Sequence, residues 1–444
     1  MLELHPNAVE NLDRKAQEIL GLIQPITPQQ MQSDSFQPEY DTHTIDNSKI
    51  VEVWVRDTSY FGHPKGMRFR HDNVWYGIVG EPYGQVRDLL KSITKVVSIS
   101  SIASSKTILR IIENWIEEKF TNVAEGDQFS AYLLSSLKSG IADRQILVPI
   151  AGLSIEVPFT IGKVDLIPLT RDFMAAWRRS LLQDRNDPEM EQWFERDFRQ
   201  FQGFTAARTF ITAEPEKSRE VVFERIREAL GVLRVFTPHA SRSLDYSPIA
   251  MWGAEDASTW WCHTFVNGVP TLTSHHRIGF VTKSLVIDTK LLQTMFDVGL
   301  REMSVVLQSG IATKYYEKLL SSILLFSEAS TKRNVPDKLV YTTVALESFL
   351  STNPTEPIQW NLADRIAYLM EELPEKRMEV VKLVKDGYAA RSAYVHHGKH
   401  PENDIVVRDF IHLVWMLFMK LSMNSAGFQT VEEMLNWIDK RKYS

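Results

Sequence analysis

From about residue 289 to the end, the apolar residues of this chain recur only at helical spacing, and this feature constrains the fold more than any other. The periodicity predicts helices near 289–309, 312–329, 335–351, 360–373, 376–396, 403–423 and 430–441. Thr430 and Glu433 form a capping-box pattern at the start of the last helix. We therefore expect an all-α helical bundle over residues 285–444.

The first half of the chain has a mixed pattern. Helical spacing predicts helices at 8–23, 106–120 and 215–236. Alternating apolar residues predict strands near 51–55 and 205–213, and the segment 144–170 is rich in strands that Pro and Gly residues interrupt. These patterns predict an α+β fold, in which a mixed region with antiparallel strands (residues 1–284) precedes the helical bundle. Whether the mixed region is one domain or two subdomains stays open.

Composition excludes several classes of protein. Apolar residues make up 44% and charged residues 24% of the chain, which is ordinary for a globular protein. Cys262 is the single cysteine, so the chain can form no intrachain disulfide, which fits a reducing compartment. The first fifteen residues have no apolar core of a signal peptide, and the apolar run Ile411–Met419 is too short to span a bilayer. We expect a cytoplasmic protein without a membrane partner.

The predicted helix at 376–396 carries an arginine on its apolar face. Val384, Tyr388, Arg391 and Val395 are spaced four, three and four residues apart, which places them on one side of a helix. A guanidinium is always charged, and burying it without a partner is costly. An arginine at such a position is usually paired or functional.

Two histidines lie at the end of this helix. His396 and His397 precede Gly398, which is a helix-stop signal, and Pro401 lies three residues further on. Histidine titrates near neutral pH, so it is suited to acid–base chemistry there. Arg391 and His396 together therefore form a candidate site.

The charge of this segment differs from that of the whole chain. The net charge of the protein is −6 and its pI is about 6.1, which argues against a surface that coats nucleic acid non-specifically. Residues 376–400, by contrast, contain six basic and two acidic residues, a net charge of +4. A phosphate would be attracted to this segment.

A carboxylate on another predicted helix offers a partner for Arg391. Glu347 lies on one helix face with Val340 and Val344, so it too points toward apolar surroundings. Pairing with each other is the least costly explanation for two opposite charges on core-facing stripes. A purely structural Arg391–Glu347 pair beside a helix-capping histidine is the alternative to a functional site.

These residues resemble the signature of a known family, the Apea-like HEPN domains. The similarity lies in Tyr388-x-x-Arg391-Ser392-x-x-Val395-His396-x-Gly398, in ALES at 345–348 and in LADRIAYLM at 362–370. It covers roughly the last 160 residues, and the spacing of Arg391 and His396 matches the family's Arg-x4–6-His mark. The segment LVPIAGLSIEVPFTIGKVDLIPL is also similar to the region that precedes such domains in prokaryotic phage-defence proteins.

The resemblance implies a metal-independent endoribonuclease without a cofactor. His396 would act as general base on a ribose 2′-OH, and Arg391 would hold the phosphate. Tyr388, Ser392, Glu347 and His397 would support them, Glu347 by orienting Arg391. HEPN domains typically act as dimers, so a homodimer is expected, and the second histidine would come from the other protomer.

The family analogy further implies abortive-infection defence against phage. RNA, with tRNA among the candidates, would be the substrate, and residues 1–284 would sense a phage-derived trigger or hold the nuclease inactive. A latent activity that needs this trigger is one variant of the hypothesis. The rival from a different class is a non-catalytic HEPN module that binds RNA or a nucleotide, or that only mediates assembly.

A metal site is not expected. Cys262-His263 and His275-His276 lie in a region with strand spacing, where adjacent side chains point to opposite faces. No second cysteine exists to complete a common zinc ligand set.

Overall fold

The computed structural model describes residues 4–26, 66–121, 128–182, 188–252, 259–266, 269–276, 284–309, 313–351, 357–401, 404–424 and 426–442. The predicted strand at 51–55 lies outside these residues. Contacts divide the chain into two compact units. Unit 1 comprises Met1–Ile146, Phe210–Phe223 and His263–Ser274, and unit 2 comprises Leu147–Thr209, Glu224–Cys262 and His275–Ser444. Unit 2 thus groups the late helices with earlier residues, and a separate domain over 285–444 stays a prediction.

The described strands all lie before residue 288 and only helices follow, which confirms the α+β class. The strands are β1 (Gln24–Pro25), β2 (Gly66–His71), β3 (Val74–Val79), β4 (Ala142–Ala151), β5 (Leu153–Ile155), β6 (Phe159–Ile161), β7 (Val164–Pro168), β8 (Thr205–Ala213), β9 (Ala250–Met251), β10 (Thr259–Val266), β11 (Val269–His276) and β12 (Leu285–Ile287). The earlier helices are α1 (Pro6–Leu20), α2 (Tyr83–Thr94), α3 (Val97–Ser100), α4 (Ser105–Phe120), α5 (Phe129–Gly140), α6 (Arg171–Leu182), α7 (Pro188–Phe201) and α8 (Pro215–Val235). The later helices are α9 (Thr289–Met295), α10 (Arg301–Ser309), α11 (Lys314–Thr331), α12 (Val335–Leu350), α13 (Ile358–Met370), α14 (Pro374–His397), α15 (Asp404–Met423) and α16 (Val431–Lys442).

Three sheets contain the described strands. The largest has seven strands in the order β11-β10-β4-β8-β7-β6, with β9 also paired to β4. The pairs β6–β7 and β7–β8 are antiparallel, as expected for this region, but β12 pairs with β5 in parallel. In the small sheet β1-β3-β2, the β2–β3 hairpin turns at Asp72 and Asn73, both of which have positive φ. Asn and Asp are the residue types that tolerate this conformation in tight hairpins.

Unit 1 has its own core, in which helices α1, α2, α4 and α5 pack together. Trp115 of α4 and Phe129 of α5 are fully buried there, with ring centroids 5.2 Å apart. The predicted amphipathic helix 106–120 corresponds to α4, and its apolar stripe faces this core. Ser104 caps the helix by accepting a hydrogen bond from the Thr107 backbone N–H.

The late helices of unit 2 begin and end close to where the periodicity placed them. One predicted helix, 289–309, is interrupted: a π-helical turn at Phe296–Leu300 separates α9 from α10. Gly299 there has φ 113°, and a Cβ on it would lie 2.6 Å from the Cβ of Ser422. Only glycine fits this conformation and this close approach, so helical spacing alone could not reveal the break.

Helix α14 lies among α12, α13 and α15. It begins with Pro374 at its first position, and Gly387 in its middle allows a close approach to α15, since a Cβ there would lie 2.6 Å from Cγ of Phe410. It ends at His397, and Gly398 after it adopts the left-handed conformation. The predicted stop signal at Gly398 is therefore confirmed, and the fold presents the last turn of α14 at the surface. Among the described helices, none is long and apolar enough to cross a bilayer.

Candidate functional site

The apolar stripe of α14 passes from the core to the surface along the helix. Val384 and Tyr388 are buried, Arg391 is half-buried, and Val395 is 48% exposed. His396, His397 and Ser392 are exposed. The predicted site residues of α14 thus lie where the helix leaves the core, at a place that solvent can reach.

Two tyrosines hold this part of α14 against α12. The Tyr388 hydroxyl donates a hydrogen bond of 2.7 Å to Oε1 of Glu347, near the end of α12. The Tyr394 hydroxyl donates one of 3.1 Å to Oδ1 of Asp337, near the start of α12. The two helices therefore run antiparallel here, and Arg391 lies between the two attachment points in the sequence.

Asp337, the acceptor at the start of α12, is itself held in place by Asn334. The Asn334 side chain caps α12 by accepting a hydrogen bond from the Asp337 backbone N–H, and its Nδ2 donates to Asp337 Oδ2. The ring of His400 packs 5.8 Å from that of Tyr394. Sequence reasoning missed Asp337 and Tyr394. Tyr388 and Tyr394 are six residues apart, about 240° around the helix, so their spacing gives no signal for this second attachment.

Glu347 contacts Tyr388 and not Arg391, the residue that it was expected to orient. Its carboxylate accepts the Tyr388 hydroxyl, and no ion pair joins it to Arg391, although both residues are described. Burial together with the hydrogen bond and the charge of Glu347 raises the pKa of Tyr388 far above its ordinary value, while Arg391 opposes this shift. Tyr388 therefore stays protonated at neutral pH and serves as a fixed donor rather than as an acid–base group.

Arg391 has no acceptor among the described residues. Its Nε atom is buried and lacks a hydrogen-bond partner there. Tyr388, one turn earlier, donates to Oε1 of Glu347, and no ion pair joins this carboxylate to Arg391. A half-buried guanidinium without a protein acceptor is suited to bind an anion, since its planar donors match phosphate oxygens.

The histidines lie at the capped end of the same helix. The Gly398 N–H donates to the Tyr394 carbonyl at 2.9 Å, and the Lys399 N–H donates to the Ala393 carbonyl at 3.2 Å, as in a Schellman cap. The ring centroids of His396 and His397 are 6.4 Å apart. At 3.6 residues per turn, His396 lies roughly 140° around the helix from Arg391 and about 7.5 Å along it. The two side chains of one α14 helix therefore leave it in different directions.

Cys262 and His263 lie in β10, and His275 and His276 lie in β11, so the predicted strand structure of this region is confirmed. Among the side chains that the structure describes, no group of three or more His, Cys, Asp or Glu residues is arranged to hold a metal ion.

Comparisons of the chain with protein-family models, with curated proteins and with solved structures found no match. The resemblance to HEPN domains thus stands on the residues of the chain itself.

Proposed function

We propose that this protein is a metal-independent HEPN endoribonuclease whose catalytic residues are Arg391 and His396. The observation that carries the proposal is that Arg391, which has no acceptor among the described residues, lies on the same exposed end of α14 as His396. The alternative, a structural pair of Arg391 and Glu347, is not present: the Glu347 carboxylate accepts the Tyr388 hydroxyl, and no ion pair joins it to Arg391.

In the proposed reaction, His396 takes the proton from a ribose 2′-OH. The 2′-oxygen then attacks the adjacent phosphorus, and the bond from phosphorus to the 5′-oxygen breaks. Arg391 binds the non-bridging oxygens and stabilises the charge that develops on them. A second histidine gives a proton to the leaving 5′-oxygen, so the products are a 2′,3′-cyclic phosphate and a 5′-hydroxyl. DNA lacks the attacking hydroxyl and is not cleaved by this route.

The proposal includes a homodimer. Because Arg391 and His396 of one helix diverge by roughly 140°, a phosphate held by one arginine is more readily reached by a histidine of another protomer. Two exposed α14 ends that face each other would bring both residue types together, with two histidines available as base and acid. His397, also exposed, is the alternative source of the second histidine.

The cellular role that we propose is abortive infection in the cytoplasm, with cellular RNA such as tRNA as the substrate. Residues 1–284 would respond to a phage-derived trigger. This part of the proposal rests on the family resemblance alone, because a fold does not by itself define a function.

Induced expression tests the proposal. Wild-type protein should slow growth and fragment cellular RNA, either on expression alone or once phage is added. Both effects should vanish in Arg391→Ala and in His396→Ala. Equal growth and equal RNA profiles for all three proteins, with phage also supplied, would instead support the non-catalytic module that binds RNA or mediates assembly.

A further inference from the structure

A groove between α13 and α14 lies on the part of α14 that precedes the proposed site in the sequence. Its volume is about 590 Å³, and its lining includes Tyr368 of α13 and Arg377, Lys382 and Lys385 of α14. Asp364 and Asp386 also line it, but Asp364 is paired with Lys442. The remaining lining charge is therefore basic, in a protein whose net charge is −6.

Two cations that line this groove, Lys385 and Arg377, each lie against an aromatic ring. Nζ of Lys385 lies 2.9 Å from the ring centroid of Trp360, and Cζ of Arg377 lies 4.0 Å from that of Tyr368. Trp360 is nevertheless 63% exposed, so much of its surface is open to solvent. An exposed indole next to cations can stack on an unpaired base while the cations contact phosphates.

The groove is connected to His396 by one face of α14. Lys382, Lys385, Ala389, Ser392 and His396 succeed one another at helical spacing, and all except the half-buried Lys385 are exposed. This face is opposite in character to the stripe of Val384 and Tyr388, which is buried. From Lys382 to His396 it extends roughly 21 Å, at about 1.5 Å per residue.

We infer that this face, which we call the α14 track, binds a single-stranded part of the RNA substrate, with a base stacked on Trp360 and phosphates on Lys382 and Lys385. That the bound strand is the RNA substrate rests on the proposed function. A duplex cannot offer an unstacked base to Trp360, so single strands are the fitting ligand. Such a strand must extend over the roughly 21 Å from Lys382 to His396.

Binding is measured first, in the His396→Ala background, with a fluorescent single-stranded RNA of about ten nucleotides. Trp360→Ala should weaken binding on the order of tenfold, and Trp360→Phe, which keeps a ring, should restore most of it. Trp75→Ala is the matched control, since Trp75 is also exposed (40%) but lies in β3 of unit 1. The paired change Lys382→Ala and Lys385→Ala should lower the magnitude of the slope of log affinity against log salt by about 1.4, whereas Lys138→Ala, at an exposed lysine of α5 in unit 1, should leave it unchanged.

Cleavage then separates this inference from the proposed function. In the wild-type background, Trp360→Ala should raise KM for the ten-nucleotide strand on the order of tenfold and leave a dinucleotide substrate unaffected. Binding that depends on Trp360 without any cleavage would overturn the nuclease proposal and leave the α14 track standing. Cleavage with no effect of Trp360→Ala on binding or KM, or tighter binding of duplex than of single strands, would overturn the α14 track.

Discussion

The two units contain the same trio of side chains in different settings. In unit 1 the Tyr83 hydroxyl donates to Oε1 of Glu113 at 2.7 Å, as the Tyr388 hydroxyl donates to Glu347 at 2.7 Å in unit 2. In both units burial and the glutamate raise the pKa of the tyrosine, and an arginine one turn away, Arg87 or Arg391, opposes the shift. The Tyr–Glu–Arg trio therefore also occurs away from the candidate site and does not by itself identify it.

The two trios differ in the residues that come after the arginine. Arg87 lies within α2, which continues to Thr94 without a histidine. Arg391 precedes the exposed His396 and His397 at the end of α14. A guanidinium becomes a candidate catalytic group only where acid–base residues share its surface, and the trio of unit 1 therefore provides a natural control for that of unit 2.

The largest effect is expected from mixed dimers, which test whether the proposed site of unit 2 needs a second copy of the chain. Arg391→Ala and His396→Ala should each lower RNA cleavage by about 10²-fold or more. If each site takes its arginine from one protomer, its His396 from the other and its second histidine from His397, co-refolding equal amounts of the two inactive proteins should restore about a quarter of the wild-type activity, because half the dimers are mixed and each has one intact site. Activity that stays at the level of the single variants would contradict this arrangement of the shared site.

The stability of unit 2 should also depend on pH in a way that unit 1 does not share. Lys338 of α12 is 2% exposed and donates to the Asp245 carbonyl, and burial lowers its pKa to about 8. Between pH 8 and its ordinary pKa near 10.5, the unfolded chain binds a proton that the folded chain does not, so folding stability rises with pH in this window. The gain should approach about 1.4 kcal/mol per pH unit.

Urea unfolding at pH 7, 8 and 9 measures this effect. Lys338→Met lacks the titrating lysine. The difference in the free energy of unfolding between wild type and Lys338→Met should therefore change with pH. Parallel pH profiles for wild type and Lys338→Met would contradict the depressed pKa.

The smallest effect is expected from removing the two tyrosine hydroxyls, and these two variants test how the trios of the two units differ. Tyr83→Phe and Tyr388→Phe should each lower the free energy of unfolding by about 1 kcal/mol, because each removes one hydrogen bond to a carboxylate. Only Tyr388→Phe should also lower RNA cleavage, because the Tyr388 hydroxyl holds α14 against α12 one turn before Arg391. Equal cleavage by both variants, at matched stability, would show that this hydrogen bond does not position the arginine.

Much of unit 2 was predictable from spacing because its late helices carry regular apolar stripes. The bounds of α12, α14 and α15 lie within a few residues of the predicted ones. The hairpin of β2 and β3 and the helices α2, α5, α6 and α7 were not predicted, since their stripes are short. The capping box of α16 is realised in part: Thr430 Oγ1 accepts the Glu433 N–H, but the Glu433 carboxylate reaches the N–H of Gln429.

The candidate site was predictable in its residues but not in its pairing. Spacing placed Glu347 and Arg391 on core-facing stripes. It could not show that Tyr388, and not Arg391, contacts the Glu347 carboxylate. Such a choice depends on where three side chains end in space, which one-dimensional spacing does not define. The break at Gly299 and the contact of Tyr394 with Asp337 depend in the same way on partners distant in the sequence.

Cleavage of RNA by purified protein tests the central claim most directly, with Arg391→Ala compared with Arg87→Ala in the presence of a metal chelator. Where an activating factor is needed, lysate from phage-infected cells is added to every reaction. We expect wild type and Arg87→Ala to produce fragments with 2′,3′-cyclic phosphate ends, and Arg391→Ala to produce none. Equal cleavage by Arg391→Ala, or no cleavage by any of the three proteins with the lysate present, would contradict a nuclease site at Arg391 and His396.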